Sequence, residues 1–251
     1  MIVGAAIIPT APLLVPGVSA SLPPGVGRVC DAVDAAMEAL PLSDTTVLLA
    51  AAEPGPSLHG QGLYDGGTAT LAGVGRPDIT RAVPVHRAAV EGVTRVSQYP
   101  MYREDALPLG LSVLALLHGG GRPLVPMAVP RNAGFDALAA TGAGLAEALT
   151  EAGVRAVVLA AGDLSAGLEE RSPLSLVEGA RDWDAQAVET VASGRLDGLA
   201  RLGPAEAKRV GALGWAPMAV LHGALARGKI GLVRRHYSAP RGVGYLVAHG
   251  A

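Results

Sequence analysis

The chain of 251 residues contains a single cysteine, Cys30, which excludes an internal disulfide and any cysteine-based metal knuckle and fits a reducing compartment. Aromatic residues make up 3% of it, so a core must be built from Ala, Val and Leu. No block of Lys or Arg stands out and the formal net charge is −2, so neither a nucleic-acid groove nor a polybasic membrane patch is expected. No apolar run approaches the length of a spanning helix. Met1 to Gly27 carries no charged side chain, yet it has no basic leader and Pro9, Pro12, Pro16, Pro23 and Pro24 break it, so it is not read as a signal peptide. The expectation is a soluble, cytoplasmic protein. Also missing are a Gly-x-Ser-x-Gly elbow, a Walker lysine loop and a Rossmann glycine fingerprint. The histidines, His59, His86, His118, His222, His236 and His249, form no His-x-His, His-x₃-His or His-Glu-x-x-His pair.

What is present is an alternation of apolar runs and helical periods. Val3 to Ile8 is a short apolar run ended by Pro9, which reads as a buried strand, and the prolines after it predict a stiff, extended loop. Apolar residues at Val29, Val33, Ala36, Met37 and Leu40 have helical spacing, with Pro41 as the stop. Thr45 to Ala52 is a second buried strand, opening into a long Gly/Pro loop from Glu53 to Gly67. The stretch from Thr68 to Tyr102 gives no clear pattern. Beyond it come a helix from Leu107 to His118, a strand from Leu124 to Val129, a helix from Phe135 to Ala152 and a strand from Val154 to Ala160. Helices are expected over Asp182–Ala192, Arg195–Leu202, the region opened by Pro204, and Ala216–Ala226. Ile230–Tyr237 and Val243–His249 read as a closing antiparallel pair. The fold class is α/β, with a mainly parallel or mixed central sheet flanked by helices. In such sheets a ligand crevice lies at the carboxyl ends of the strands.

Several stretches carry a family resemblance in order along the chain. Pro9, Thr10, Ala11, Pro12, Leu13 and Leu14 resemble the Pro-His-Pro-Pro-Leu-Leu that follows the first strand of class III extradiol ring-cleavage dioxygenases of the B-subunit type, and of Memo-like proteins. Gly162, Asp163, Leu164, Ser165 and Ala166 resemble a Ser-Asp-Leu-Ser-His motif, and Ala212 to Met218 resembles an Ile-Cys-Gly-Arg-Gly-Pro-Ile run. The resemblance extends from Ile2 to the Gly242–Val247 ending and implies one extradiol dioxygenase-like domain over residues 1–251, commonly associated into homo- or hetero-oligomers.

In those families two His and a carboxylate, or a Cys in place of the carboxylate, hold Fe(II), and a further His acts as acid and base. Here Thr10 stands at the first ligand position, Ala51, Ala52 and Glu53 at the second, Ala166 at the acid/base and Leu213 at the last ligand. The implied outcome is a degenerate site with no metal ligands and no cofactor, in a crevice that still takes a small molecule. Asp163, Ser165 and His59 are candidate catalytic groups, and Thr10, Glu53 and Trp215 candidate substrate contacts. The bland alternatives are that Asp163 and Ser165 cap local turns, that Glu53 faces water and that His59 is a hydrogen-bonding loop residue. Two other readings stand beside this one: a structural or regulatory subunit of an oligomer, and an active enzyme. The enzyme would be either a catechol-type dioxygenase with a rebuilt Fe(II) site or a metal-independent catalyst using Asp163, Glu53 or His59.

Overall fold

Four apolar runs without a charged residue form the middle of one sheet: β1 (Ile2–Ile8), β2 (Thr45–Ala51), β7 (Leu124–Val129) and β8 (Ala156–Ala161). Runs of this kind suit parallel strands covered on both faces. In the computed structural model, which describes residues 1–52, 61–97 and 99–251, they pair in parallel in the order β7, β2, β8, β1. The sheet is mixed and eight-stranded. On one side β10 (Tyr245–Gly250) runs antiparallel to β1, and β9 (Val233–Ser238) antiparallel to β10. On the other, β3 (Gly62–Tyr64) runs antiparallel to β7, and β6 (Met101–Tyr102) parallel to β3. Successive strand residues serve opposite cores. Ile7, Val47, Leu49, Met127 and Val158 belong to one, and Ile8, Leu48, Ala50, Ala128 and Leu159 to the other.

Helices cover both faces. The first core takes in α2 (Arg87–Ser97), α4 (Phe135–Glu151), α5 (Ala180–Ala192) and α7 (Trp215–Leu225), with the short α6 (Pro204–Val210) beside them. The second takes in α1 (Val26–Glu38), α3 (Leu109–His118) and a separate hairpin of β4 (Thr68–Leu71) and β5 (Arg76–Ala82). α1 and α3 thus lie on one face, whereas α4, which links β7 to β8, lies on the other. The strand order reverses direction at this point, and the carboxyl ends of β1, β2 and β8 are left facing an open crevice. Among the described residues no helix is long and apolar enough to cross a membrane.

Most expected elements appear within one or two residues of their bounds, with four differences. The segment after β1 is not wholly extended: Pro12–Leu14 forms a 3₁₀ turn, with the Leu14 N–H donating to Ala11 O at 3.0 Å, because Pro12 presets the φ of a first helical position. The loop expected from Glu53 to Gly67 contains β3, and Glu53 to Gly60 lies outside the described residues. Leu196–Arg201 is a 3₁₀ turn in place of a helix. The unread stretch holds β4, β5, α2 and β6; the helical spacing of Ala89, Val90 and Val93, buried on α2, was its one local signal. Pro126 sits inside β7, a position a central strand tolerates only where no N–H is needed. The Leu124 N–H donates outward to Pro84 O at 2.8 Å, so position 126, two residues on, faces that same outer edge, and β3 pairs only with Met127 and Ala128 there.

α4 and α7 approach so closely that only glycine fits at two contacts. A Cβ on Gly142 would lie 1.9 Å from Val220 O, and one on Gly223 would lie 1.8 Å from Ala139 O. Gly142→Ala or Gly223→Ala therefore forces the helices apart and costs about 1–3 kcal/mol, the range for overpacking. Urea unfolding of each variant reads this loss, and unchanged midpoints in both would contradict the packing described.

Candidate functional site

The register between β1 and β8 sets the site. Ile8 is opposite Ala161, so Thr10 and Asp163, two residues further along each chain, meet beyond the strand ends. Pro9 stops β1 from continuing, which leaves the Thr10 N–H free to donate to Asp163 Oδ2 at 2.8 Å. The Thr10 hydroxyl donates to the same oxygen. Asp163 is buried, and burial holds its carboxyl above the usual range although both Thr10 bonds act against this. Its backbone is tied down as well: the Gly214 N–H at the start of α7 donates to Asp163 O at 2.7 Å.

Thr10 and Asp163 line a cavity of about 580 Å³. Ala51 and Ala52 from the end of β2, Ala166 and Leu213 line it too, as do Arg131 from the turn after β7 and Tyr245 at the start of β10. Gly110, in the first turn of α3, completes one wall. Burial first, and the Asp163 charge second, push the Tyr245 hydroxyl up to about 12, so it enters chemistry near neutral pH as a hydrogen-bonding phenol and not as a phenolate. Arg131 is partly buried, and burial lowers its pKa below the ordinary arginine value.

The other expected site residues are placed differently. Ser165 does not line the cavity. It is fully buried, its N–H donates to Asp184 Oδ1 at 2.9 Å and its hydroxyl donates to the same atom. The Tyr237 hydroxyl of β9 donates to Asp184 Oδ2 at 2.7 Å. Asp184 therefore ties the tail of β8 to α5 and β9. Its carboxyl is raised by burial, against the pull of the Ser165 and Tyr237 hydrogen bonds, and the Tyr237 hydroxyl is raised by its own burial and by the Asp184 charge. Trp215 is buried in the core, where its Nε1–H donates to Leu199 O at 3.0 Å, and does not reach the cavity. Glu53 and His59 lie outside the described residues.

Arg131 and Tyr245 escaped the reading of the sequence. Arg131 was accessible to it: it follows Pro130 directly after an expected strand, at the end where crevices form.

The described residues at these positions do not by themselves make an iron centre. Thr10, Ala51, Ala52, Ala166 and Leu213 supply no imidazole, thiolate or carboxylate, and Asp163 already accepts two hydrogen bonds from Thr10 on one oxygen. Among the described residues no group of three His, Cys, Asp or Glu converges.

Neither a protein-family model nor a curated protein sequence matches the chain. A solved structure does: an uncharacterized protein, JW3007, from Escherichia coli K12, with 15% identity, 98% of each chain covered and a TM-score of 0.62. At that identity the likeness establishes the α/β fold and nothing about activity.

Two outcomes test the site. Ser165→Ala removes a donor from a buried carboxyl and costs about 1–3 kcal/mol by chemical denaturation, without altering what the cavity binds. For Asp163 and Asp184, the folded protein holds a proton more tightly than the unfolded chain. Stability therefore falls as pH rises from the ordinary carboxylate value of 3.8 through the raised folded values, and levels off above them. Asp163→Asn, which keeps an acceptor for the Thr10 N–H, flattens part of that decline in a series of urea midpoints against pH. A variant profile parallel to the wild type would contradict a raised Asp163.

Proposed function

We propose that the protein is a divergent member of the class III extradiol dioxygenase-like superfamily that holds a small molecule in its crevice without an iron site. One observation carries this reading. Four positions assigned by motif resemblance, spread over more than two hundred residues, fall in the lining of one cavity: Thr10, Ala51–Ala52, Ala166 and Leu213. Three of them lie at or beyond the carboxyl ends of β1, β2 and β8, and Leu213 joins them from just before α7. At three of these positions, Thr10, Ala166 and Leu213, a hydroxyl or hydrocarbon stands where the resembled families carry ligands and an acid/base group, which would keep the shape of a binding site without its redox chemistry. A cavity of this size, apolar with a few polar groups, is the usual form of a small-molecule site.

The chain's own residues suggest how the crevice works. Thr10 and Asp163 close its floor and hold β1 to β8 beyond the sheet. Ala51, Ala52 and Ala166 leave space where larger side chains would intrude, and Tyr245 adds a phenol.

Anaerobic loading with Fe(II) followed by desalting tests the reading directly. The expected result is substoichiometric iron and no catechol-dependent oxygen uptake. Stoichiometric iron with catechol-dependent uptake would overturn it and point to ligands rebuilt within the crevice.

A further inference from the structure

Among the described residues, one charge in the cavity wall stands without a partner. Of the arginines, only Arg76 and Arg131 are not exposed. Arg76 is fully engaged, with two bonds to Asp78 and others to the carbonyls of Gly17 and Val18. Arg131 makes no salt bridge and no side-chain hydrogen bond among the described residues. Taking a guanidinium partly out of water without a partner is unfavourable, and an anion delivered to it recovers the loss. Arg131 also sits where two cavities meet. It lines both the one at the strand ends and a larger one of about 960 Å³, to which Lys208 contributes a second cation.

The rest of the lining selects the kind of anion. Ala11, Pro12, Leu109, Leu213 and Val243 offer hydrocarbon and no further charge. Asp163 is the one acidic side chain among the described lining residues, and its Oδ2 is taken up by both hydrogen bonds from Thr10. The positive end of α3 points its first turn at the same space and adds to the attraction. A lone planar guanidinium beside an apolar chamber matches a monoanionic carboxylate, which it grips with two parallel bonds. A phosphate dianion would call for more donors than this wall supplies.

We infer that the crevice binds an organic carboxylate with an apolar body, its carboxylate paired with the Arg131 guanidinium and its body against the wall of Pro12, Leu109 and Val243. The inference rests on the proposed iron-free crevice and names its ligand class.

Calorimetric titration of the full-length protein with phenylacetate, 3-phenylpropionate, phenylacetamide and phenyl phosphate tests it. At least one carboxylate is expected to bind about ten- to a hundredfold more tightly than the neutral amide, the range for a charge-assisted pair. Arg131→Met is expected to abolish that preference while leaving the unfolding midpoint and the weak amide binding in place. Arg131→Lys, which keeps the charge and loses the fork, is expected to restore only part of it. Ala166→Phe fills the chamber and is expected to remove binding of both compounds. Equal binding of amide and carboxylate, or an Arg131→Met protein with full preference, would overturn the inference yet leave the crevice reading intact. Phenyl phosphate binding more tightly than either carboxylate would replace the carboxylate with a phosphate ester and overturn it too. No binding by any probe also overturns it, and joined to stoichiometric iron retention it would remove the iron-free crevice as well.

Discussion

The parallel register that places Ile8 opposite Ala161 is the constraint on which the crevice depends. Backbone pairing along β1 and β8 carries Thr10 to Asp163, and the hydrogen bonds between them extend the contact past the point where Pro9 ends the strand. A slip of one residue would turn every side chain of β1 to the opposite face, exchanging Ile7 and Ile8 between two filled cores. The register is therefore held by the packing of both faces, and the polar contact at the strand ends inherits its precision from hydrocarbon. The glycine contacts between α4 and α7 let two helices of the first core pack backbone to backbone.

Two buried acids near one another in the fold have separate duties. Asp184 is surrounded by donors from a loop and from β9, and it has no place in the cavity; its role is to join three elements. Asp163 takes donors from Thr10 and keeps a face toward the cavity. Both are raised by burial, yet only the second stands where a ligand could meet it. The neighbouring Asp163 and Ser165 thus divide between ligand space and scaffold within one short motif.

Legibility followed the range of the interaction. β7 was readable to the residue, because an apolar run bounded by Gly and Pro is a local signal. β4 and β5 were not, since β4 alternates over only four residues and β5 is largely exposed, and β3 was hidden among glycines that read as loop. Of the site residues, Thr10 and Asp163 were found through motif position and do line the cavity, whereas Ser165 and Trp215 were found the same way and turn into the protein. Motif position fixes where a backbone passes, and the direction of a side chain is settled by what surrounds it.

The sequence alone determined the class of the fold, the order of its elements outside residues 53–102 and the residues at the motif positions, none of them His or Cys. These depend on composition, periodicity and the identities of Pro and Gly, all of which act within a few residues. Only the tertiary structure decided that Thr10 and Asp163, 153 residues apart, share a hydrogen bond, and that Asp184 satisfies Ser165 and Tyr237. It also decided that Arg131 finds no partner among the described residues. Those outcomes rest on register, burial and the company each charge keeps, and each is a property of segments brought together from distant parts of the chain.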